Sequence, residues 1–528
     1  MNRNKTKKAS RLIGAGLTLL AILGVCYLIA FPMRGVYNSD YADTLSWAKA
    51  SVDAKTLFSK EFTYACLLPF GGQLLMMPFV ALFGYSYTAQ ACGMIVFFLL
   101  FTLALGCLFK ALGANSFWTG ASLFCMVGAL CSSEKLREVY FGHVLYYSLG
   151  GLFLIVGLTL VLSLEKDKEQ KIPWRLIALC AWCVLCSTDG LTSLSLFILP
   201  LCSALVFERL CDKSVTFFSS ENLDRALPLF YVICASVVGL GLGSLLRHGV
   251  NAPYQEAFST LSSDTEWGNN LALFLPSFLC MFTGEVTMYE PFTTFAGMSV
   301  SIRVLFGLFV LVVPFIALGF WKTLSRGEKL LLVSHFTVSA TMLFAFVFGL
   351  LSNAAWRLTP MLFTALLVTV CLIRRLSTVP FFKRFAVLAL VFCVLIAGLG
   401  LFDVARMKPN DKPDGSAADL AAFLEQHGYT YGYATFWNAN AITVLSDEKV
   451  KCRSIEVTED SGFISPSYYQ SEQSWYNGQG SNEKYFLLLS TGDYSLALGN
   501  QQISAALPIE RQHGFVIVNL PADLFPLY

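Results

Sequence analysis

The stretch KRFAVLALVFCVLIAGLGLFDVARMKPNDKPDG, from Lys383 to Gly415, contains the boundary on which the fold depends. Its apolar run, 385–402, approaches the roughly 20 residues that a helix needs to cross a bilayer. After Phe402 the apolar character is lost, and PNDKPDG at 409–415 has the Pro, Gly and Asp content of a linker. The sequence therefore predicts that the last membrane helix ends here and that a soluble domain follows.

The overall composition is that of a membrane protein. The 528 residues are 55% hydrophobic and only 14% charged, with a mean hydropathy of +0.61, whereas soluble domains are about 25% charged. From Asp403 onward 15 acidic residues stand against eight basic ones, and before it 20 acidic residues stand against 29 basic ones. The basic residues accompany the membrane helices, so the division indicates a basic membrane part and an acidic soluble part and excludes nucleic-acid binding.

Apolar runs of spanning length predict about eleven transmembrane helices. The first run has a full-length core followed by bulky residues, which favours an uncleaved helix over a signal peptide. The runs lie near 12–32, 88–110, 116–133, 143–164, 175–188, 190–208, 227–246, 301–321, 329–351, 356–373 and 385–402.

The distribution of Lys and Arg predicts the orientation of these helices. Twenty of the 29 basic residues of the membrane part fall in the N-terminal segment and in alternate short loops, which places the N-terminus in the cytoplasm. An odd number of spans then places the C-terminal domain outside, together with two long loops, 33–87 and 247–300. The apolar segment Leu67–Phe83 is broken by prolines and glycines, so we expect it to lie on or dip into the outer leaflet.

The remaining chain predicts a small α/β or α+β extracytoplasmic domain, 416–528, after a linker at 403–415. Ser416 is placed to cap a helix that reaches His427, and strand-like runs follow. The predicted fold is therefore an α-helical polytopic membrane domain, 1–402, with a small soluble domain after it. The strand-like runs lie near 430–436, 441–445, 450–457, 485–489 and 514–520.

An acidic segment follows the first predicted span on the outer side. It reads Tyr37-Asn38-Ser39-Asp40-Tyr41-Ala42-Asp43, and a carboxylate such as Asp40 in this position can deprotonate an acceptor hydroxyl or amine. The competing interpretations are a solvated loop acid, or a cap in which Ser39 or Asp40 begins the next helix.

A lone arginine, Arg357, lies at the predicted outer end of a helix pair, in the segment Asn353 to Pro360. The planar guanidinium binds phosphate in a bidentate manner, so Arg357 is a candidate for binding a phosphate group. The alternative is an interfacial arginine whose head reaches toward water beside the aromatic anchor Trp356.

Further polar residues are candidates for lining an outer cavity. Glu134, Arg137 and His143 lie in one short outer loop, where the alternative is a polar hairpin tip, and Asp189 lies between two short spans. No Walker A loop, dinucleotide signature, HExxH or GxSxG motif is present, so no cofactor is assigned. The spacing of the histidines suggests no metal site, and a divalent metal requirement stays open.

Aromatic and amide residues are concentrated near the start of the soluble domain. Trp437, Asn438 and Asn440 belong to the run YGYATFWNAN, which begins at Tyr431. Stacking and hydrogen bonding by such side chains is a common way to hold sugars, so they are candidate residues for binding a sugar or an acceptor. The alternative is a strand packing on a small core, followed by an Asn-rich turn.

Taken together, the chain resembles the GT-C superfamily of membrane glycosyltransferases, which includes protein O-mannosyltransferases and bacterial lipid A transferases. The resemblance rests on an early acid, Asp40, in a long loop after the first helix, and on the Pro-containing stretch from Leu68 to Gly84. A late outer Arg before a Pro, here Arg357 and Pro360, and a soluble domain after the last helix complete it.

The resemblance implies a polyprenyl-phosphate-linked sugar as donor and an envelope glycan, lipid or protein as acceptor, at the outer face of a bacterial plasma membrane. It implies inverting transfer with Asp40 as base and Arg357 on the donor phosphate. The alternatives are a non-catalytic relative, or a lipid-linked glycan transporter or polymerase. A transporter typically shows internal repeats, and no clear repeat is found.

The predicted orientation is testable with reporter fusions. A fusion at Tyr528 should report an outer location and a fusion at Lys168 a cytoplasmic one, because Lys168 lies in a predicted basic inner loop. A cytoplasmic signal at Tyr528 would contradict the orientation.

Overall fold

The computed structural model describes residues 3–143, 146–164, 173–211, 220–253, 260–286, 291–476, 484–504 and 509–525. Lys168, chosen above for a fusion, lies outside these ranges. Within them the chain is mostly helical, with one sheet near its C-terminus. The structure confirms the predicted class, a polytopic helical membrane protein with a small C-terminal α/β region.

Twelve helices precede residue 290 in the described ranges, and two are short helices that continue into π-helical turns. They are α1 Arg3–Ala30, α2 Asp43–Ala54, α3 Met77–Phe83, α4 Tyr87–Ala111, α5 Ser116–Leu130, α6 Glu134–Arg137, α7 Tyr146–Ser163, α8 Trp174–Ser187, α9 Leu191–Ser193, α10 Leu199–Cys211, α11 Ser220–Leu246 and α12 Asp264–Thr283. The π-helical turns are Glu138–Gly142 after α6 and Leu194–Ile198 after α9.

Later helices complete the membrane part and accompany the sheet. They are α13 Phe295–Gly319, α14 Arg326–Val347, α15 Thr359–Ser377, α16 Lys383–Arg406, α17 Ala417–Gln426, α18 Phe436–Leu445, α19 Thr491–Ala497 and α20 Gln501–Ser504. The strands are β1 Tyr431–Thr435, β2 Lys451–Val457, β3 Ile464–Pro466, β4 Tyr485–Ser490, β5 Ile509–Gln512 and β6 Phe515–Leu520.

The predicted spans each coincide with a helical segment. In the described part of the chain, eight helices are long and apolar enough to cross a membrane. The segment 116–142 is a further, bent pair with an angle of 117° between its helices, and α7 and α8 are shorter apolar helices. Leu67–Phe83 is not among these segments, since only Met77–Phe83 of it is helical.

The chain divides into two compact units. The first comprises Met1–Cys26, Phe98–Leu246 and Phe258–Arg406, and the second comprises Tyr27–Phe97, Arg247–Ala257 and Met407–Tyr528. The second unit therefore combines most of the first long loop with the sheet, which the sequence did not anticipate.

Helix α15 forms the centre of the first unit. It is buried along almost its whole length, from Thr359 to Ile373, and packs against α14, α13, α16, α5 and α7. The hydroxyls of its buried threonines, Thr359, Thr364 and Thr369, donate to backbone carbonyls, so the helix is enclosed without leaving these groups unsatisfied.

Close approach of helices in the first unit depends on glycine. A Cβ at Gly239 would lie 2.3 Å from the carbonyl oxygen of Val184, and one at Gly243 would lie 2.3 Å from that of Thr188. These glycines are four residues apart on α11 and face α8, the small-residue spacing that brings membrane helices together. A Cβ at Gly241 on the same helix would meet no atom within 4 Å.

The sheet of the second unit has the strand order β3-β2-β1-β4-β6-β5. Strands β2, β1 and β4 are parallel, while β3, β6 and β5 run antiparallel to their neighbours. The parallel strands are buried almost throughout, as expected for a sheet covered on both faces.

Most predicted elements of the soluble domain are observed, and one is wrong. The helix α17 is capped as expected, since Ser416 Oγ accepts a hydrogen bond from the amide of Asp419 at 3.2 Å. Residues 441–445, predicted as a strand, belong to helix α18. Their β-branched residues pack on the sheet as the buried face of that helix, so tertiary packing overrides the local preference.

The glycine contacts between α8 and α11 lead to a prediction about stability. Gly239→Ala and Gly243→Ala should each lower the unfolding free energy by about 1–3 kcal/mol, because the added Cβ forces the helices apart. Thermal unfolding of the full-length protein in detergent measures the effect.

Gly241→Ala on the same helix is the matched control. It should be neutral or slightly stabilising, since its Cβ meets no neighbour and alanine favours the helix. Equal losses for all three substitutions would contradict the packing explanation.

Candidate active site

The segment around Asp40 belongs to the second unit and has a fixed backbone. The side-chain oxygen of Asn38 accepts hydrogen bonds from the amides of Asp40 at 3.0 Å and Tyr41 at 3.4 Å. Helix α2 begins at Asp43 with Ala42 before it, and no side chain caps it. The capping interpretation of Ser39 and Asp40 is therefore wrong, and Asp40 lies half-buried in the turn before the helix.

Asp43 is the more buried of the two acids. Only 6% of it is exposed, and its Oδ1 makes no hydrogen bond within the described part of the chain. Burial raises the pKa of Asp43 well above its usual range, and the nearby charge of Asp40 raises it further. Burial therefore favours the protonated form of Asp43.

Trp437 and Asn438 lie where β1 ends and α18 begins. The chain passes from β1 to β2, which pairs with one edge of β1, and β4 pairs with the other edge. The strand order therefore reverses beside β1. In open α/β sheets, ligands bind outside the carboxyl ends of strands at such a change of direction. Trp437 is 58% exposed at this position.

The acidic segment and Trp437 are adjacent within the second unit. The amide of Ser39 donates a hydrogen bond to the carbonyl oxygen of Trp437 at 3.3 Å. Two candidate regions about 400 residues apart in the sequence, one for the base and one for the acceptor, are thus brought together. No local sequence pattern indicates this pairing.

Gln470 connects α2 to α18 and was not singled out in the sequence. Its side-chain oxygen accepts a hydrogen bond from the indole of Trp47 on α2 at 2.6 Å. Its backbone carbonyl accepts one from Nδ2 of Asn440 on α18 at 3.1 Å. The amide of Asn440 is therefore buried in this link, whereas Asn438 is half-buried in the first turn of α18.

Arg357 belongs to the first unit, in a short 3₁₀ turn, Ala355–Leu358, before α15. Only 9% of it is exposed. Its Nη1 donates to the hydroxyl of Tyr147 at 2.6 Å and its Nε donates to Ser352 Oγ at 3.2 Å. Enclosure of this kind disfavours the interpretation as an arginine that reaches toward water.

The segment with Glu134, Arg137 and His143 is a bend rather than an open hairpin tip. Ser133 Oγ caps its helix, α6, by accepting from the amide of Leu136 at 3.2 Å. Glu138 pairs with Lys135 at 2.6 Å and lies 3.8 Å from His143 Nε2.

The remaining side chains of that segment are placed differently. Arg137 donates to the carbonyl of Cys131 at 2.9 Å, and His143 is buried. Glu134 is exposed.

Two further charged groups of the first unit are buried. Asp189 lies in the turn between α8 and α9, where Gly190 has a φ of 68°. Arg303 on α13 pairs with Asp403 on α16 and donates to the carbonyl of Ser132 at 2.6 Å. Arg303 was missed because, in the sequence, it is one basic residue at the edge of an apolar run.

No cluster of three or more metal-ligating side chains occurs in the described ranges. The structure thus offers no ligand set there to which a metal can be assigned.

No protein-family model and no curated protein match the sequence. The fold is similar to the crystal structure of ArnT from Cupriavidus metallidurans bound to undecaprenyl phosphate. The match has a TM-score of 0.52 and 14% identity, and covers 96% of this chain and 98% of that one.

A second match is the archaeal oligosaccharyltransferase AglB from Archaeoglobus fulgidus, in complex with an inhibitory peptide and a dolichol-phosphate. It has a TM-score of 0.48 and 12% identity, over 92% of this chain and 71% of that one. ArnT and AglB are GT-C membrane glycosyltransferases. The similarity to ArnT confirms the predicted GT-C-like fold.

The burial of Asp43 leads to a pH prediction. The pKa of Asp43 in the folded protein is raised above the unfolded value of about 3.9. At a pH above that value the folded state therefore binds more protons than the unfolded state does. Wild-type stability should therefore fall with rising pH relative to Asp43→Asn, which cannot ionise. Unfolding midpoints in detergent between about pH 5 and about pH 8 measure the difference.

Asp53→Asn on the same helix is the control. The carboxylate of Asp53 is about half exposed and pairs with Lys49 at 3.1 Å, so its difference from wild type should stay constant over this range. A constant difference for Asp43→Asn as well would refute the assignment of a protonated Asp43.

Proposed function

We propose that this protein is a membrane glycosyltransferase that moves a sugar from a polyprenyl-phosphate donor to a cell-envelope acceptor at the outer face of a bacterial plasma membrane. The GT-C-like fold supports the general class. The observation that carries the proposal is the hydrogen bond from the Ser39 amide to the Trp437 carbonyl, because it joins the acidic segment to the edge of the sheet at which open α/β folds bind ligands.

Asp40 is the proposed general base. Its backbone is fixed by Asn38, and its neighbour Asp43 is buried and favours the protonated form. When one of two close carboxyl groups holds its proton, the other can stay ionised at neutral pH. Asp43 therefore acts in this proposal as a positioning residue that keeps Asp40 available to accept a proton.

Trp437 and Asn438 are the proposed acceptor-binding residues. An exposed indole offers a flat face on which a sugar ring stacks, and the amide of Asn438 offers a donor and an acceptor at its edge. Their position at the carboxyl end of β1 places them beside the segment that carries the base.

Arg357 is the proposed group for the donor phosphate. The guanidinium is held by Tyr147 and Ser352 in a buried position, so little reorganisation is needed when charge develops on the leaving group. Exclusion of water also strengthens its attraction for a phosphate oxygen.

The proposed reaction is a single inverting displacement. Asp40 takes the proton from the acceptor hydroxyl or amine as that atom attacks the anomeric carbon of the sugar. The bond from this carbon to the phosphate oxygen breaks, and its electron pair leaves with the polyprenyl phosphate. Arg357 stabilises the negative charge that forms on that phosphate.

The catalytic pair leads to a test by substitution in cells. Asp40→Asn keeps the size of the side chain but removes the base, and should lower product formation by about 10²–10⁴-fold. Arg357→Lys keeps the charge but loses the bidentate fork, and should impair use of the donor. Mass spectrometry of envelope glycans, lipids and glycoproteins, from a deletion strain that expresses each variant, measures the product.

Asp53→Asn is again the matched control, and should leave the product at the wild-type level. Equal membrane abundance of the variants must accompany the comparison. A wild-type level of product with Asp40→Asn would exclude Asp40 as the base. A deletion strain with no change in any envelope component would favour a non-catalytic relative.

A further inference from the structure

We propose that the first unit holds a specific site for an anionic glycerophospholipid. The site lies at the predicted cytoplasmic end of the helices. The site is a cavity of about 330 Å³ between the last turns of α10 and the start of α14. Space of this size accommodates a phosphate headgroup with its glycerol and the first carbons of an acyl chain. This lipid site is separate from the proposed transfer reaction, which uses other residues.

One side of the cavity is apolar. Ala204 and Phe207 of α10 face Leu330 and Val333 of α14. The ring of Phe207 packs edge-on against that of Trp321, with 5.5 Å between their centroids. Both helices belong to segments that are apolar enough to span a membrane, so this wall suits a hydrocarbon chain.

The other side of the cavity is polar and carries an excess of positive charge. Arg326 binds Glu208 through two hydrogen bonds, of 2.5 and 3.2 Å, so these opposite charges compensate each other. Lys329 also lines the cavity, and its Nζ lies 5.5 Å from the centroid of the Trp321 ring. Within the described ranges Lys329 forms no ion pair. In this proposal its ammonium group binds the anionic headgroup.

The combination of the two sides selects a lipid over a free anion. An inorganic phosphate would meet the ammonium group of Lys329 but would leave the apolar wall in contact with water. A phospholipid places its phosphate at Lys329 and its chain against Phe207 and Val333, which satisfies both halves of the site.

The location agrees with this choice of ligand. Lys329 and Arg326 lie in the first turn of α14, in a segment that the distribution of basic residues predicts to be cytoplasmic. Anionic lipids enrich that leaflet, and basic pockets between membrane helices bind their headgroups. A lipid bound here would join α10 to α14 and so stabilise the first unit.

Native mass spectrometry of the full-length protein tests the proposal. Phosphatidylglycerol should bind and raise the unfolding midpoint, whereas phosphatidylcholine with the same acyl chains should do so much less. Lys329→Gln should weaken phosphatidylglycerol binding by roughly five- to tenfold. Val333→Phe, which fills the apolar side and keeps every charge, should weaken it as well.

Lys322→Gln is the control, because Lys322 is exposed on the neighbouring turn and does not line the cavity. It should leave binding unchanged. Equal binding of both lipids, equal losses for Lys322→Gln and Lys329→Gln, or the same stabilisation by inorganic phosphate would each overturn the proposal.

Discussion

The interior of a bilayer offers no water to backbone N–H and C=O groups, and the first unit is built to satisfy that constraint. Each spanning segment is helical, so its backbone groups bond within the segment. With no hydrophobic force between helices in lipid, close packing must hold them together, and Gly239 and Gly243 provide it where α11 meets α8. A charged side chain within the helices of this unit, Arg303, is buried and is paired with Asp403.

The second unit depends on a different arrangement, a parallel centre to its sheet. Strand β1 lies between β2 and β4. The chain continues from β1 to β2 on one side and later adds β4 on the other side, so the carboxyl end of β1 lies at the point where the strand order reverses. The amide of Ser39 donates a hydrogen bond to the carbonyl of Trp437 just after this end of β1, and Gln470 joins α2 to α18. The proposed base and the proposed acceptor site are therefore joined within one unit, although they lie far apart in the sequence.

The candidate groups differ in how their surroundings treat charge. Burial without a hydrogen bond on Oδ1 disfavours ionisation of Asp43, whereas Asp40 lies in a half-buried turn. Arg357 is buried but has Tyr147 and Ser352 as partners, which lowers the cost of keeping its charge away from water. Lys329 shows a third case, in which an aromatic ring lies beside the ammonium group at the edge of a cavity.

The sequence alone determined the features that depend on solvent preference along the chain. Hydropathy located the spanning helices, and local capping rules found α17 from Ser416. It also drew attention to Asp40, Arg357 and Trp437, because polar groups near a membrane are costly. The tertiary structure alone decided that residues 436–445 form a helix, that the first long loop joins the sheet, and that Ser39 meets Trp437. The helix depends on packing against the neighbouring strands, and the other two features depend on contacts between residues hundreds of positions apart. Such tertiary contacts leave no periodicity in the local sequence.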